Sequence, residues 1–304
     1  MISDKIKAVG CNQTAFMKIV SNCENMVGQT AVKSNSIYSI ESSPVEIWEQ
    51  SQSTNKDHPY LKIKNIKSYG IRQYNNDLII PMYDCNNKLQ NLQRILPNGK
   101  KLFLPNKITN GCFYILEAVK PFSKIYIAEG YATAATIYEA TEQCVVVAFS
   151  VSNLPAVAEI IKWEYPNEEI VICADNDAYS KSGENIGIDK ATEAAAIIDA
   201  KLVTPKFKST NTQPTDFNYL ACLEGIEEVR KQLANAAKVD ETQPSTDIKE
   251  TSSEAIERLA KMELIEYGQV RKQEAVKLNV TVCFLDNAVK IYKQLNVASK
   301  KNKR

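Results

Sequence analysis

The chain has 304 residues, of which 44% are hydrophobic and 24% charged, and a formal net charge of +1; this is the composition of a folded globular protein, not of a disordered, collagenous or membrane-spanning one. Its eight cysteines are scattered with no Cys-x-x-Cys pair, which argues against a zinc ribbon and for free thiols in a reducing, cytoplasmic setting. His58 is the sole histidine, so a Ser-His-Asp or histidine-metal mechanism has almost no material, and no uninterrupted apolar run reaches bilayer-spanning length.

Residues 1–57 are polar and weakly periodic, with Ser-, Asn- and Gln-rich stretches near Ser34–Ser43 and Gln50–Asn55. Residues 58–119 read as a basic domain of β-hairpins. Asn75-Asn76, Asn86-Asn87 and Pro97-Asn98-Gly99 mark its turns, and Leu78–Met82, Leu89–Leu96 and Lys101–Leu104 its strands. From Lys56 to Lys107 ten Lys or Arg face three acidic residues, whereas Pro121–Lys231 is acidic by eight charges. Residues 120–236 alternate strand and helix, with strands predicted at 125–128, 144–149, 169–174 and 201–203 and helices at 131–141, 154–164 and 186–199. That alternation implies a parallel sheet with right-handed crossovers, closed by a helix over Ile226–Lys238. Residues 237–253 have linker composition, 254–296 form a helical module with Leu259, Met262, Ile265 and Val270 near one face, and 297–304 are a basic tail.

Two segments carry the chemistry. Ile125-Tyr126-Ile127-Ala128 runs into Glu129-Gly130, and Ile170-Val171-Ile172-Cys173-Ala174 runs into Asp175-Asn176-Asp177. Apolar runs of this kind read as buried parallel strands, and ligands in open α/β sheets bind beyond the carboxyl ends of such strands. Asp175 and Asp177 are two apart, so in extended chain both point to one face. Three carboxylates make a hard-oxygen site suited to Mg²⁺ or Mn²⁺ and not to zinc. In the basic domain Arg94, Lys100 and Lys101 flank a predicted hairpin with Phe103 nearby, a combination suited to phosphate contacts and base stacking on single-stranded nucleic acid. No GxxxxGK[ST] loop is present, so no P-loop motor is expected within the chain.

The series Glu129-Gly130-Tyr131-Ala132-Thr133-Ala134, Ala148-Phe149 through Asn153-Leu154, Ala174-Asp175-Asn176-Asp177 and Thr215-Asp216-Phe217-Asn218 resembles the TOPRIM primases of plasmids, phages and integrated mobile elements. His58-Pro59-Tyr60-Leu61, Ile80–Asp84 and Leu89–Ile95 match the segment ahead of TOPRIM in that family, so the resemblance covers roughly 58–233. It implies a Rossmann-like TOPRIM domain preceded by a mixed α/β basic domain and followed by a small helical module. It also implies synthesis of short RNA primers on single-stranded DNA from nucleoside triphosphates with Mg²⁺ or Mn²⁺, beside a replicative helicase or other replication protein.

On that resemblance Asp175 and Asp177 are metal ligands, and Glu129 shares a metal or acts as general base. Asp216 is a further candidate metal ligand, although Tyr219 stands where the family commonly has a second aspartate. Gly130 turns the chain and leaves a helix N-terminus open to phosphate. Asn185, Gly187 and Lys190 match a further family segment, with Lys190 a candidate triphosphate contact, and Lys101 matches a lysine that precedes Phe-Leu. Related full-length primases carry an N-terminal zinc module whose ligands residues 1–57 do not supply. Arg271–Asp286 is similar to a helical module at the ends of primase–helicase polypeptides, a helix-turn-helix or a packing hairpin. A TOPRIM nuclease and a non-catalytic DNA-binding replication-accessory protein remain as alternatives.

Overall fold

The computed structural model describes residues 43–119, 121–180, 185–238, 252–278, 280 and 282–301. Most of the polar 1–57 segment, most of the 237–253 linker and the last three residues of the tail lie outside them.

Within the stretch read as featureless, Pro44–Gln50 (α1) is helical. The Ser43 side chain accepts the Glu46 N–H, and Pro44 sits at the first helical position, where its missing N–H costs nothing. A five-stranded antiparallel sheet follows: Gln52–Ser53 (β1), Arg72–Tyr74 (β2), Asp77–Tyr83 (β3), Leu89–Ile95 (β4) and Lys101–Phe103 (β5), in that spatial order. The anticipated turns are present. Asn75 and Asn87 hold left-handed backbone at φ 55° and 61°, a region asparagine tolerates better than most residues. Pro81 lies inside β3, beyond the point at which β2 stops pairing with it, so its missing donor breaks no ladder on that side.

Between β1 and β2, Pro59–Lys64 (α2) is capped by His58. The His58 Nδ1 accepts the Tyr60 N–H at 3.2 Å and Nε2 bonds the Asn76 carbonyl at 2.9 Å, so the sole histidine is a buried cap. The segment after α2 is gripped by two phenols: the Tyr69 N–H donates to Tyr131 Oη at 2.7 Å, and Tyr114 Oη donates to the Tyr69 carbonyl at 2.7 Å. Gly70 sits at φ 69°, and a Cβ there would stand 2.2 Å from Tyr114 Oη, so only glycine fits under the second phenol.

The second sheet has six strands in the order Ala237–Lys238 (β11), Lys201–Val203 (β10), Glu169–Cys173 (β9), Lys124–Ala128 (β7), Cys144–Val147 (β8) and Tyr114–Leu116 (β6). The four central strands are parallel, and the two outer ones, β6 and β11, run antiparallel. Residues 237–238 thus form a sheet edge and not the end of the anticipated closing helix, which stops at Ala234. Tyr131–Thr141 (α3), Leu154–Glu164 (α4), Ile186–Ile197 (α5), Phe217–Glu224 (α6) and Ile226–Ala234 (α7) supply the helices. Central strands rich in Ile and Val are buried on both faces, as crossover topology requires; Ile125, Ile127, Val171 and Ile172 are wholly buried.

A reciprocal bridge between Tyr83 and Phe113 joins the end of β3 to the residue that precedes β6, coupling the two sheets. The C-terminal helices Ser252–Ala260 (α8), Leu264–Lys277 (α9) and Val282–Lys301 (α10) place Leu259, Leu285, Ala288 and Val289 in the same apolar cluster as Ile127, Ile160 and Ile172. Arg271 and Asp286, which bracket the C-terminal resemblance, form an ion pair with each other, and Asn287 Nδ2 donates to Asn86 Oδ1 at 2.7 Å. Among the described residues no helix is long and apolar enough to cross a membrane.

Candidate active site

Strands β7 and β9 are adjacent and parallel, with Ala128 opposite Cys173, so Glu129 and the Ala174–Asp177 segment leave the sheet side by side. Two backbone bonds fix the second segment: Ala174 N–H to the Val203 carbonyl at 3.0 Å and Asn176 N–H to the Thr215 carbonyl at 2.7 Å. The latter brings Asp216 alongside. The result is one acidic site. Burial and the charges of Asp216, Glu129 and Asp177 push the Asp175 carboxyl well above the ordinary carboxylate range, with Lys101 opposing. Burial likewise raises Glu129; Lys101 and a hydrogen bond from the Val151 backbone pull it back, while Asp177 and Asp216 push it further up.

Asp175 Oδ1 is a buried acceptor that no donor meets. An orphaned carboxylate oxygen among other carboxylates fits a cation, since an unpaired buried acceptor otherwise carries its full desolvation cost. Among the described residues no three Asp, Glu, His or Cys groups are close enough to enclose an ion by themselves. A small cation held by one or two carboxylates, which retains several waters and completes its shell with substrate phosphate, matches that openness; this is the habit of Mg²⁺.

Lys101 enters from the other sheet. A Cβ on Gly130 would lie 3.1 Å from Lys101 Nζ, so the glycine leaves space for the ammonium. Gly130 itself has φ −109° and ψ 152°, extended backbone open to any residue, so the expected tight turn is not the reason for glycine here. It does precede α3 without a side-chain cap, leaving the first helical amides to solvent or ligand.

The remaining expected residues divide. Asp216 accepts the Tyr219 N–H at 2.7 Å as the cap of α6, so its carboxylate both starts a helix and adds charge to the site. Arg94 has a different partner from the one anticipated. Its Nε and Nη2 donate to Asp77 Oδ2 at 3.0 and 2.5 Å, with both side chains largely buried on the first sheet. Lys190 pairs with Glu193 one turn along α5 at 2.6 Å, and Lys100 is exposed at the β4–β5 turn. Phe103, 38% exposed, meets Phe149 edge-on with ring centroids 6.5 Å apart; the Phe149 N–H donates to the Glu129 carbonyl at 2.8 Å.

Sequence reasoning passed over Asn153. Its Oδ1 accepts the Gly111 N–H at 2.6 Å, and Nδ2 donates to the carbonyls of Cys112 and Ala148 at 2.9 and 2.7 Å. The only signal was its place in the Ala148–Leu154 motif, which does not disclose partners some 40 residues upstream.

Residues 124–227 match the family described as "Toprim domain". Two Escherichia coli proteins named DNA primase TraC are 35% and 33% identical over 157 and 167 residues, covering 49% and 52% of this chain. The chain spans only 15% and 12% of their lengths. Among solved structures, the primase fragment of the bacteriophage T7 primase-helicase protein is 14% identical with a TM-score of 0.43, covering 60% of this chain and 80% of that one. The zinc-binding and RNA polymerase domains of the Aquifex aeolicus primase are 13% identical with a TM-score of 0.39, covering 91% and 75%. Residues 124–227 thus match the Toprim domain, and the sequence relatives named above are DNA primases.

Proposed function

We propose that this chain is a primase-type nucleotidyltransferase that makes short RNA primers on single-stranded DNA from nucleoside triphosphates, with Mg²⁺ or Mn²⁺. The observation that carries the reading is the half-buried carboxylate set at the ends of β7 and β9, with the buried and orphaned Asp175 Oδ1, faced by Lys101 from a basic sheet. Asp175 and Asp177 would hold the cation, with Glu129 and Asp216 close by. When bound, the ion neutralises charge that develops on the α-phosphate and makes the attacking 3′-hydroxyl more acidic. Glu129, whose carboxyl is raised by burial, is suited to take the proton of that hydroxyl. Lys101 supplies positive charge to the triphosphate without giving up its place beside Gly130. The template lies on the basic sheet, where Lys100 and Phe103 are exposed. A replicative helicase or other replication protein is the partner this activity calls for.

The test is primer synthesis on single-stranded DNA with labelled ribonucleotides and Mg²⁺ or Mn²⁺, comparing wild type with Glu129→Gln. Labelled oligonucleotides from wild type alone support the assignment. A degraded template in place of product points to the nuclease, and DNA binding with neither outcome points to an accessory protein.

The two basic residues of the first sheet should separate in the same assay. Lys101→Met is expected to lower synthesis by about 10²-fold with unchanged stability, because it removes a preorganised charge at the reacting phosphates. Arg94→Met is expected to leave turnover nearly intact but to cost roughly 2–4 kcal/mol in urea unfolding, since it strands the largely buried Asp77 carboxylate. Equal kinetic losses for both would return Arg94 to the site.

A further inference from the structure

The second aspartate is held from outside its own strand. Asn185, at the start of α5, accepts the Asp177 N–H through Oδ1 at 2.9 Å and donates through Nδ2 to Asn176 Oδ1 at 2.8 Å. The same Oδ1 also accepts the Ile188 N–H at 3.4 Å and so caps α5. Two residues on, Gly187 has no room for a side chain. A Cβ there would lie 2.5 Å from the Asp175 carbonyl oxygen and 2.9 Å from Asp177 Oδ2. The first turn of α5 is therefore pressed directly against the Asp-x-Asp backbone, and one amide side chain bonds both residues that follow Asp175.

Strand β9 ends at Cys173, so nothing in the sheet ladder fixes residues 175–177. We propose that Asn185, together with the space left at Gly187, is the positioning device that fixes Asp177 relative to Asp175 and so sets the affinity of the carboxylate pair for a divalent cation. This rests on the cation-binding reading above and deepens it. Asn185 touches no reacting atom; it acts through the backbone of Asn176 and Asp177. An open site that binds its ion with few carboxylates depends on such support, because a small error in the angle between two ligands is not absorbed by others.

The capping and positioning roles of Asn185 are separable. Serine caps a helix about as well as asparagine but is too short to reach across to Asp177 while doing so. The experiment titrates Mn²⁺ into the full chain, without DNA or nucleotide, and reads the free-ion signal by electron paramagnetic resonance. Wild type, Asn185→Ser, Gly187→Ala and Asp177→Asn are compared, with thermal unfolding in EDTA run alongside. Asn185→Ser is expected to melt close to wild type yet to bind Mn²⁺ about tenfold more weakly, the loss usual when a residue supporting a ligand is removed. Gly187→Ala should weaken binding at least as much. Wild-type affinity in Asn185→Ser, with binding lost in Asp177→Asn, would reduce Asn185 to a helix cap and overturn the assignment while sparing the site. A wild type that binds no Mn²⁺ would overturn the cation-binding reading and this inference together.

Discussion

In EDTA, Asp175→Asn is expected to unfold at a higher temperature than wild type and to make no primers when Mg²⁺ is restored. Both effects have one cause. The half-buried Asp175 carboxylate lies among the charges of Asp216, Glu129 and Asp177, and its buried Oδ1 lacks any donor, an arrangement that opposes its ionisation. An amide of the same shape removes the repulsion, and relief of this kind at a functional site typically returns about 1–2 kcal/mol. It also removes the charge that would hold a cation, for which a loss of at least about 10³-fold in synthesis is expected. The pH dependence has a definite sign. An acid disfavoured as the anion in the folded protein keeps its proton more tightly there than in the unfolded chain, so metal-free wild type should lose stability as pH rises from the ordinary carboxylate range toward the raised folded value. Asp175→Asn should flatten that decline. Added Mg²⁺ should stabilise wild type, which alone offers the ion a complete pair, and should leave the variant little changed. A variant that melts below wild type in EDTA would make Asp175 a structural acceptor and sink this account.

Asn153→Ala is expected to cost roughly 3–5 kcal/mol in urea unfolding, because it strips partners from three backbone groups, two carbonyls and one N–H, at a residue 5% exposed. The amide joins the Gly111–Cys112 turn, on the approach from the first sheet, to the Ala148 carbonyl at the end of β8. It also stabilises the neighbouring Phe149, an aromatic residue held at φ 70°, a conformation that persists only where its surroundings enforce it. Asn153→Asp should recover only the Gly111 bond and fall between the two. The effect should reach chemistry as well, since residues 151–153 form the short helical turn that begins with the Val151 amide on Glu129. A ΔΔG below about 1 kcal/mol would mean that water replaces the amide without loss.

Much of this architecture was legible because the informative signals are local. Ile125–Ala128 and Ile170–Cys173 are continuous apolar runs that only buried parallel strands explain, and the acidic residues that end them had to emerge at one rim of the sheet. Asn75, Asn87 and Gly99 announced turns through the left-handed backbone they tolerate. What was not legible depends on contacts between distant segments. Arg94 reads as a free cation until the β3–β4 register sets it beside Asp77, 17 residues earlier. Gly130 reads as a turn residue until the other sheet delivers Lys101 to it. The end of the chain's last parallel unit was misread for the same reason: Ala237–Lys238 continues a helical-looking sequence but finds an open edge at β10, and pairing there wins over another turn of helix.

The two phenols on Tyr69 have a consequence for how a polymer reaches the carboxylates. One of them belongs to Tyr131, the residue after Gly130, so the segment that leads into β2 of the first sheet is bolted to the start of the helix that follows Glu129. Moving the first sheet away from the second would break both bonds at Tyr69. On this side the protein is a fixed frame and not a pair of jaws: under the proposed activity, a strand would meet the acidic rim and the basic sheet already in register, with no closure needed to bring them together.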